Sequence, residues 1–139
     1  MKYSKATNYA LHTMVYLTTM PRGKATGVDV LAKQQDVSPT YLSKILTKLV
    51  KSGLIESTPG VNGGYTLSRN GKQISFLDVI HAIEGQSVLF RCSSDHEDAI
   101  QRKGCLIEKA MTRAEDRLKE ELDKTTIADI ADEVGKSRE

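Results

Sequence analysis

Two cysteines carry the most versatile chemistry in this chain of 139 residues. Cys92 and Cys105 bracket a polar stretch, CSSDHEDAIQRKGC, with His96 between them. A thiolate is a nucleophile, a redox centre and a metal ligand, and the nearby Arg91, Arg102 and Lys103 make such thiols more reactive than isolated ones. A reversible disulfide is one chemistry open to the pair. Zinc held with His96 or His12 is a second, although twelve intervening residues match no zinc-finger spacing. Two unliganded thiols are a third. Two cysteines are too few for a disulfide scaffold, and a reducing compartment keeps both as thiols unless a metal or an oxidant engages them. No catalytic acid–base pair, phosphate loop or metalloprotease signature accompanies them, so an enzyme built on Cys92 and His96 lacks its partners.

A second set of side chains suits a polyanion. In the segment after Ser38, residues Thr40, Tyr41, Ser43, Lys44, Thr47, Lys48 and Lys51 fall opposite the apolar Leu42, Ile45, Leu46, Leu49 and Val50. The polar side holds hydroxyls and ammonium groups and no acid. Such groups reach phosphates and base edges, whereas a merely solvated face mixes both signs. Charge along the chain agrees: residues 1–73 carry ten Lys or Arg against three acids, a net of +7, and residues 74–139 carry ten against fifteen, a net of −5. A basic front and an acidic rear orient the molecule on nucleic acid, an asymmetry that the overall charge of +2 hides.

The elements that position these groups follow from periodicity and caps. Ala6, Ala10, Thr13 and Leu17 recur at helical spacing, so a first helix runs from Ser4 to Met20, where Pro21 stops it. Thr26 with Asp29 has the form of a capping box that opens a short second helix. Ser38 and Pro39 read as N-cap and first residue of a third, which Gly53 ends. Leu54–Ser57 and Tyr65–Ser68 read as strands, and GVNGG between them as the tip of a wing directly behind a helix-turn-helix. Asn62, Gly63, Gly64 and Tyr65 then lie where a wing reaches the DNA backbone or the neighbouring groove, the glycines permitting close approach to phosphate. Ser75 with Asp78 caps a fourth helix that ends at Gly85. The longest helix runs from about Leu106 to Lys124, with Ile107, Met111, Ala114, Leu118 and Leu122 in one narrow seam. A narrow seam on a heavily charged helix suits pairing with a second helix and marks a dimerisation spine. Thr126 and Asp129 cap a last helix, expected to cover the base of that spine.

The expected fold class is mainly α with a small β-hairpin wing. Residues 1–85 form a winged helix-turn-helix head, 86–105 a cysteine-containing sensor loop, and 106–139 the dimerisation helix and a C-terminal helix. No run of about 18 apolar residues exists to span a membrane, and Met1–Lys5 leads into a polar segment without the apolar core of a secretory signal. A cytoplasmic protein with no membrane partner follows.

The run VSPTYLSKILTKLVKSGLIESTPGVNGGYTLSR, followed by ISFLDVIHAIEG and later TTIADI, resembles the Rrf-two family of bacterial winged-helix regulators, of the IscR, NsrR and CymR type. The likeness covers nearly the whole chain. It implies a homodimeric transcriptional regulator, a repressor, that binds a partly palindromic double-stranded DNA operator, with the third helix in the major groove and the wing beside the minor groove. Ser38, Thr40, Tyr41, Ser43, Lys44 and Lys48, with Asn62 to Tyr65, are then the DNA-binding residues. Pro59 stands where the family commonly has a basic residue, so this chain has no cation to offer DNA at that position.

The iron–sulfur members have three closely spaced cysteines. Cys92 matches the first and Cys105 the last, while the middle one is absent, which excludes a cluster held by all three. The two-cysteine, redox-sensing RsrR-like branch is more similar, and implies a 2Fe–2S cluster on Cys92, Cys105 and His12, with Asn8 where that branch has an acid. A two-iron cluster takes four protein ligands, and a neutral amide is a poor one, so Glu108 or His96 would have to complete the set. Such a site would be shared if the first helix and the cysteine loop came from different subunits. Thiol oxidation at Cys92 and Cys105, and binding that needs no cofactor, stay open beside the cluster.

Overall fold

The computed structural model describes residues 2–86, 88–90 and 105–137. Helix α1 (Lys5–Thr19) is opened by Ser4, whose hydroxyl oxygen accepts the Thr7 N–H. It buries Thr7, Ala10, Thr13, Met14 and Leu17, the stripe expected from spacing with Thr7 and Met14 added, while Ala6 is half-buried.

Helix α2 (Val28–Gln35) starts differently from the expectation. Its N-cap is Gly27, with no side-chain cap, and Thr26 does not form the capping box with Asp29. The reason is long-range. Thr26 N donates to Tyr65 O at 3.0 Å and Tyr65 N to Thr26 O at 2.8 Å, so Thr26 is held extended as a bridge on the wing and its side chain is buried. Asp36 then turns the chain out of α2 in the left-handed region (φ 53°), which a short polar residue tolerates.

Helix α3 (Pro39–Lys51) begins as its spacing predicts, with Ser38 as N-cap and Pro39 in the first turn. Leu42, Ile45, Leu46 and Leu49 are buried and Val50 half-buried. Strands β1 (Ile55–Thr58) and β2 (Gly64–Leu67) form an antiparallel hairpin in the register Ile55–Leu67 to Thr58–Gly64, one residue away from the expected strand limits.

The adjacent glycines have an internal cause. A Cβ on Gly63 would fall on the Thr58 carbonyl oxygen. One on Gly64, at φ +140°, would sit 2.5 Å from the Thr26 backbone carbonyl. Only glycine lets the hairpin close on itself and the Thr26 segment close on the hairpin.

A 3₁₀ turn (Gly71–Gln73) leads to α4 (Phe76–Glu84), opened by the expected capping box of Ser75 and Asp78 and closed at Gly85. The long helix is α5 (Leu106–Lys124), and α6 (Ile127–Ser137) follows after the reciprocal bonds Thr126 N to Asp129 Oδ2 and Asp129 N to Thr126 Oγ1, at 3.0 and 3.1 Å. Helix α6 packs chiefly on α1, contrary to the expectation that it would cover the base of the spine. Backbone pairing dictates this: Phe76 N donates to Thr125 O and Ile127 N to Ile74 O, at 2.8 and 2.9 Å, so the chain re-enters the head where α4 begins. Ile127 is thereby fully buried in the one apolar core that also holds Met14, Leu46 and Val79. Burying such a side chain contributes about 1.5–3 kcal/mol. The last helix is thus part of the head.

Candidate nucleic-acid interface

With its apolar side spent on the core, α3 presents the opposite side to solvent. Ser38, Thr40, Tyr41, Lys44, Thr47, Lys48 and Lys51 are exposed, and Ser43 is half-buried. These side chains have different freedoms. The Ser38 hydroxyl oxygen is occupied by the Tyr41 N–H at 3.1 Å, and the Thr47 hydroxyl donates back to Ser43 O at 2.9 Å. Both serve the helix first. Thr40 and Lys44 make no side-chain hydrogen bond or ion pair among the described residues, which leaves a hydroxyl and an ammonium for an incoming ligand. Lys48 projects near Glu84 of α4, whose carboxyl feels its charge.

Three ammonium groups and no carboxylate on this helix give a surface of single sign. Such a surface attracts phosphates and is screened by salt. The wing stands beside it. Its tip, Pro59 to Asn62, is exposed, while Gly63, Gly64 and Tyr65 are half-buried at the base of the turn. Asn62 therefore reaches outward, and Tyr65 is a partner of Thr26 in the backbone ladder.

Two carboxylates show how the head is held. Glu84 Oε2 accepts the Ser4 N–H at 2.8 Å and the Thr7 hydroxyl at 2.9 Å, tying the start of α1 to the end of α4. The Ser4 N–H is the main reason its carboxyl titrates below the usual 4.5, helped by Thr7 and Lys48 and opposed by desolvation. Glu115 is the buried residue of α5, and its Oε1 accepts the Leu89 N–H at 3.0 Å and faces Lys119 Nζ at 3.2 Å. The Leu89 bond, more than the lysine, draws its carboxyl below the usual value. The only charged group that α5 buries thus clamps the segment leaving α4.

The sensing residues are less gathered. Cys92 and His96 lie outside the described residues. Cys105 is buried at the N-cap of α5, beside a concavity bordered by Glu108 and Arg113. His12 is exposed on α1, its Nδ1 2.8 Å from Asn8 O, at the rim of a 390 Å³ cavity between α1, α2 and α6. The two cavities share no residue, and no three His, Cys, Asp or Glu side chains converge among the described residues. His12 and Cys105 thus border different cavities of one chain, and Cys92, the third ligand that a 2Fe–2S cluster would take, lies outside the described residues.

Tyr9 and Glu84 carry no motif that would mark them in the sequence, yet they touch or influence the candidate DNA side chains. The Tyr9 and Tyr41 rings meet edge to face, with centroids 5.8 Å apart. Partners so far apart along the chain leave no local signal.

Comparison with known proteins agrees with this geometry. Residues 3–133 match the Rrf2 family, described as iron-dependent transcriptional regulators. A Lactococcus lactis protein carrying the name HTH-type transcriptional regulator YffB is 35% identical over 138 residues, covering 96% of this chain and 88% of that protein. CymR, the global cysteine regulator of Bacillus subtilis, superposes with a TM-score of 0.77 at 29% identity, over 95% of this chain and 97% of that chain. IscR of T. potens superposes with a TM-score of 0.78 over 100% of this chain and 92% of that one, and at 22% identity it supports the fold alone. With a helix-turn-helix, a hairpin wing and a match over almost its full length, this chain belongs to the Rrf2 family of winged-helix, DNA-binding transcriptional regulators, which are not enzymes.

Proposed function

We propose that this chain is a homodimeric repressor that binds a two-fold, double-stranded DNA operator through α3 and the wing, and that oxidation of its cysteines alters the binding. The observation that carries the DNA reading is the exposed side of α3, with Lys44, Lys48 and Lys51 and no acid. Thr40, Tyr41, Ser43 and Lys44 lie on the N-terminal half of the helix, the part that reads base edges in helix-turn-helix proteins, while Ser38, Lys48 and the wing residues Asn62 to Tyr65 position the backbone.

Dimerisation is supported by α5. Leu106, Ile107 and Leu118 are 56%, 66% and 39% exposed, an amount of unpaired apolar surface that a second copy of the helix would cover. A single short recognition helix also needs a partner to read two half-sites. A protein that reads the genome acts in the bacterial cytoplasm.

Redox control is supported by the place of Cys105, at the head of that same helix, and by similarity to Staphylococcus aureus CymR, solved in an oxidised form, at 27% identity and a TM-score of 0.75. A disulfide between Cys92 and Cys105 releases two protons and two electrons to an oxidant such as a peroxide, and ties together the two ends of the cysteine loop. Thiol chemistry is preferred over a cluster because it needs only the two cysteines, whereas a two-iron cluster takes four protein ligands and the neutral Asn8 stands where an acid would be.

The test is binding to a duplex selected from a random library, measured against salt. Lys44→Ala and Lys48→Ala should each reduce the slope of log affinity on log salt by about 0.9 for every phosphate no longer neutralised. Unchanged slopes would reject the DNA face. Peroxide treatment should alter affinity of the parent and leave Cys105→Ser unaffected. An equal response in both would reject the thiol switch, and iron with sulfide in protein purified without oxygen would replace it by a cluster.

A further inference from the structure

We infer that Tyr9, a residue of α1 outside the DNA-facing set, is a positioning residue that sets operator specificity through Tyr41. The inference rests on α3 being the DNA-contacting helix. Tyr41 is the third residue of α3, at the end that approaches base edges in a helix-turn-helix, and its N–H is fixed by Ser38 Oγ at 3.1 Å. Its backbone is therefore placed, but its side chain is 40% exposed and has free staggered wells to choose from. What selects among them is Tyr9. The two rings lie 5.8 Å apart at an interplanar angle of 87°, the edge-to-face arrangement that the aromatic quadrupole favours.

Tyr9 can act as a fixed post because its own position is settled by the fold. Its ring is partly buried against the core. Its carbonyl accepts the Thr13 hydroxyl at 2.8 Å, and that hydroxyl in turn accepts from Gln35 Nε2 of α2 at 2.7 Å. One turn before it, Glu84 grips Ser4 and Thr7. An exposed ring on the recognition helix thus leans on a ring that packs against the core.

An aromatic pair of this kind favours one arrangement by about 3- to 10-fold. A side chain already held in its bound pose loses less freedom on binding. The gain falls only on the duplex whose bases accept Tyr41 in that pose. The lysines attract every duplex alike, so Tyr9 governs discrimination and leaves general affinity untouched.

The experiment compares the selected duplex with a scrambled one of equal length and composition, using the full chain. Tyr9→Leu should cut the ratio of the two affinities by about 3- to 10-fold, leaving the scrambled-duplex affinity and its salt slope unchanged. Tyr9→Phe, which keeps the ring, should retain the parent's ratio. In a Tyr41→Ala background, Tyr9→Leu should cause no further loss, because the side chain it positions is gone. Where Tyr9→Leu lowers the folded fraction, Tyr9→Met keeps the buried bulk without the ring and carries the same test. An unchanged ratio, an equal loss on both duplexes, or additive losses in the double variant would each overturn the proposal. A failure of the DNA face itself reads differently: Lys44→Ala and Lys48→Ala would then leave both duplexes unaffected.

Discussion

Helices α3 and α5 are both amphipathic, and they spend their apolar faces in opposite ways. In α3 the residues Leu42, Ile45, Leu46 and Leu49 are buried by the chain itself, at most 3% exposed. In α5 the buried residue is a glutamate, while Ile107 and Leu118 remain in solvent. The same kind of pattern therefore serves a core in one helix and an unfilled surface in the other. An apolar stripe states that something will cover it, and only the surrounding elements decide whether that cover comes from within.

The largest expected effect breaks the α3 side of this contrast. Leu46→Ala should cost about 2–5 kcal/mol in chemical denaturation, at every protein concentration, since the cavity it leaves is internal. A loss below about 1 kcal/mol would mean that α3 is not held by its core face. Next comes the α5 side. Ile107→Asp combined with Leu118→Asp should convert the protein to monomer in sedimentation and lower affinity for a two-fold operator on the order of 100-fold, by removing the linkage of two half-sites. An unchanged sedimentation coefficient would show that the seam is not the pairing surface.

The smallest effect sharpens how the head is braced. Glu84→Gln should cost about 1 kcal/mol near pH 7, because the bonds from Ser4 and Thr7 are weaker to a neutral acceptor and partly open to solvent. The folded-state pKa of Glu84 is depressed, so its contribution is present above 4.5 and is lost as pH falls through the folded value. The gap between parent and variant should close in acid. A gap that stays constant from pH 7 to 3 would remove Glu84 from the bracing of α1.

Caps show which parts of the fold were legible and why. Ser38 with Pro39, Ser75 with Asp78, and Thr126 with Asp129 open helices as their spacing predicts. Thr26 with Asp29 has the same form and opens nothing, because Thr26 is engaged by Tyr65 across the wing. A local signal holds until a distant backbone competes for the same groups. The landing of α6 on α1 was hidden for the same reason: Ile127 and Ala131 declare an apolar side without naming its partner. In the candidate site, the single-signed side of α3 could be read from spacing. Tyr9 and Glu84 could not, since they meet their partners across 32 and 80 residues. The glycine pair was legible as a reversal, while its stricter cause, the closeness of Thr26 to Gly64, belongs to the folded hairpin.

By itself, then, the order of residues determined the helices, the wing, the polarity of charge and the side of α3 turned outward, because each depends on periods and caps within a few positions of one another. Which faces are covered, which ring meets Tyr41, and whether His12 and Cys105 border one cavity or two were decided by tertiary structure alone. Those are distances between segments remote in sequence, and they exist only once the core has drawn the segments together.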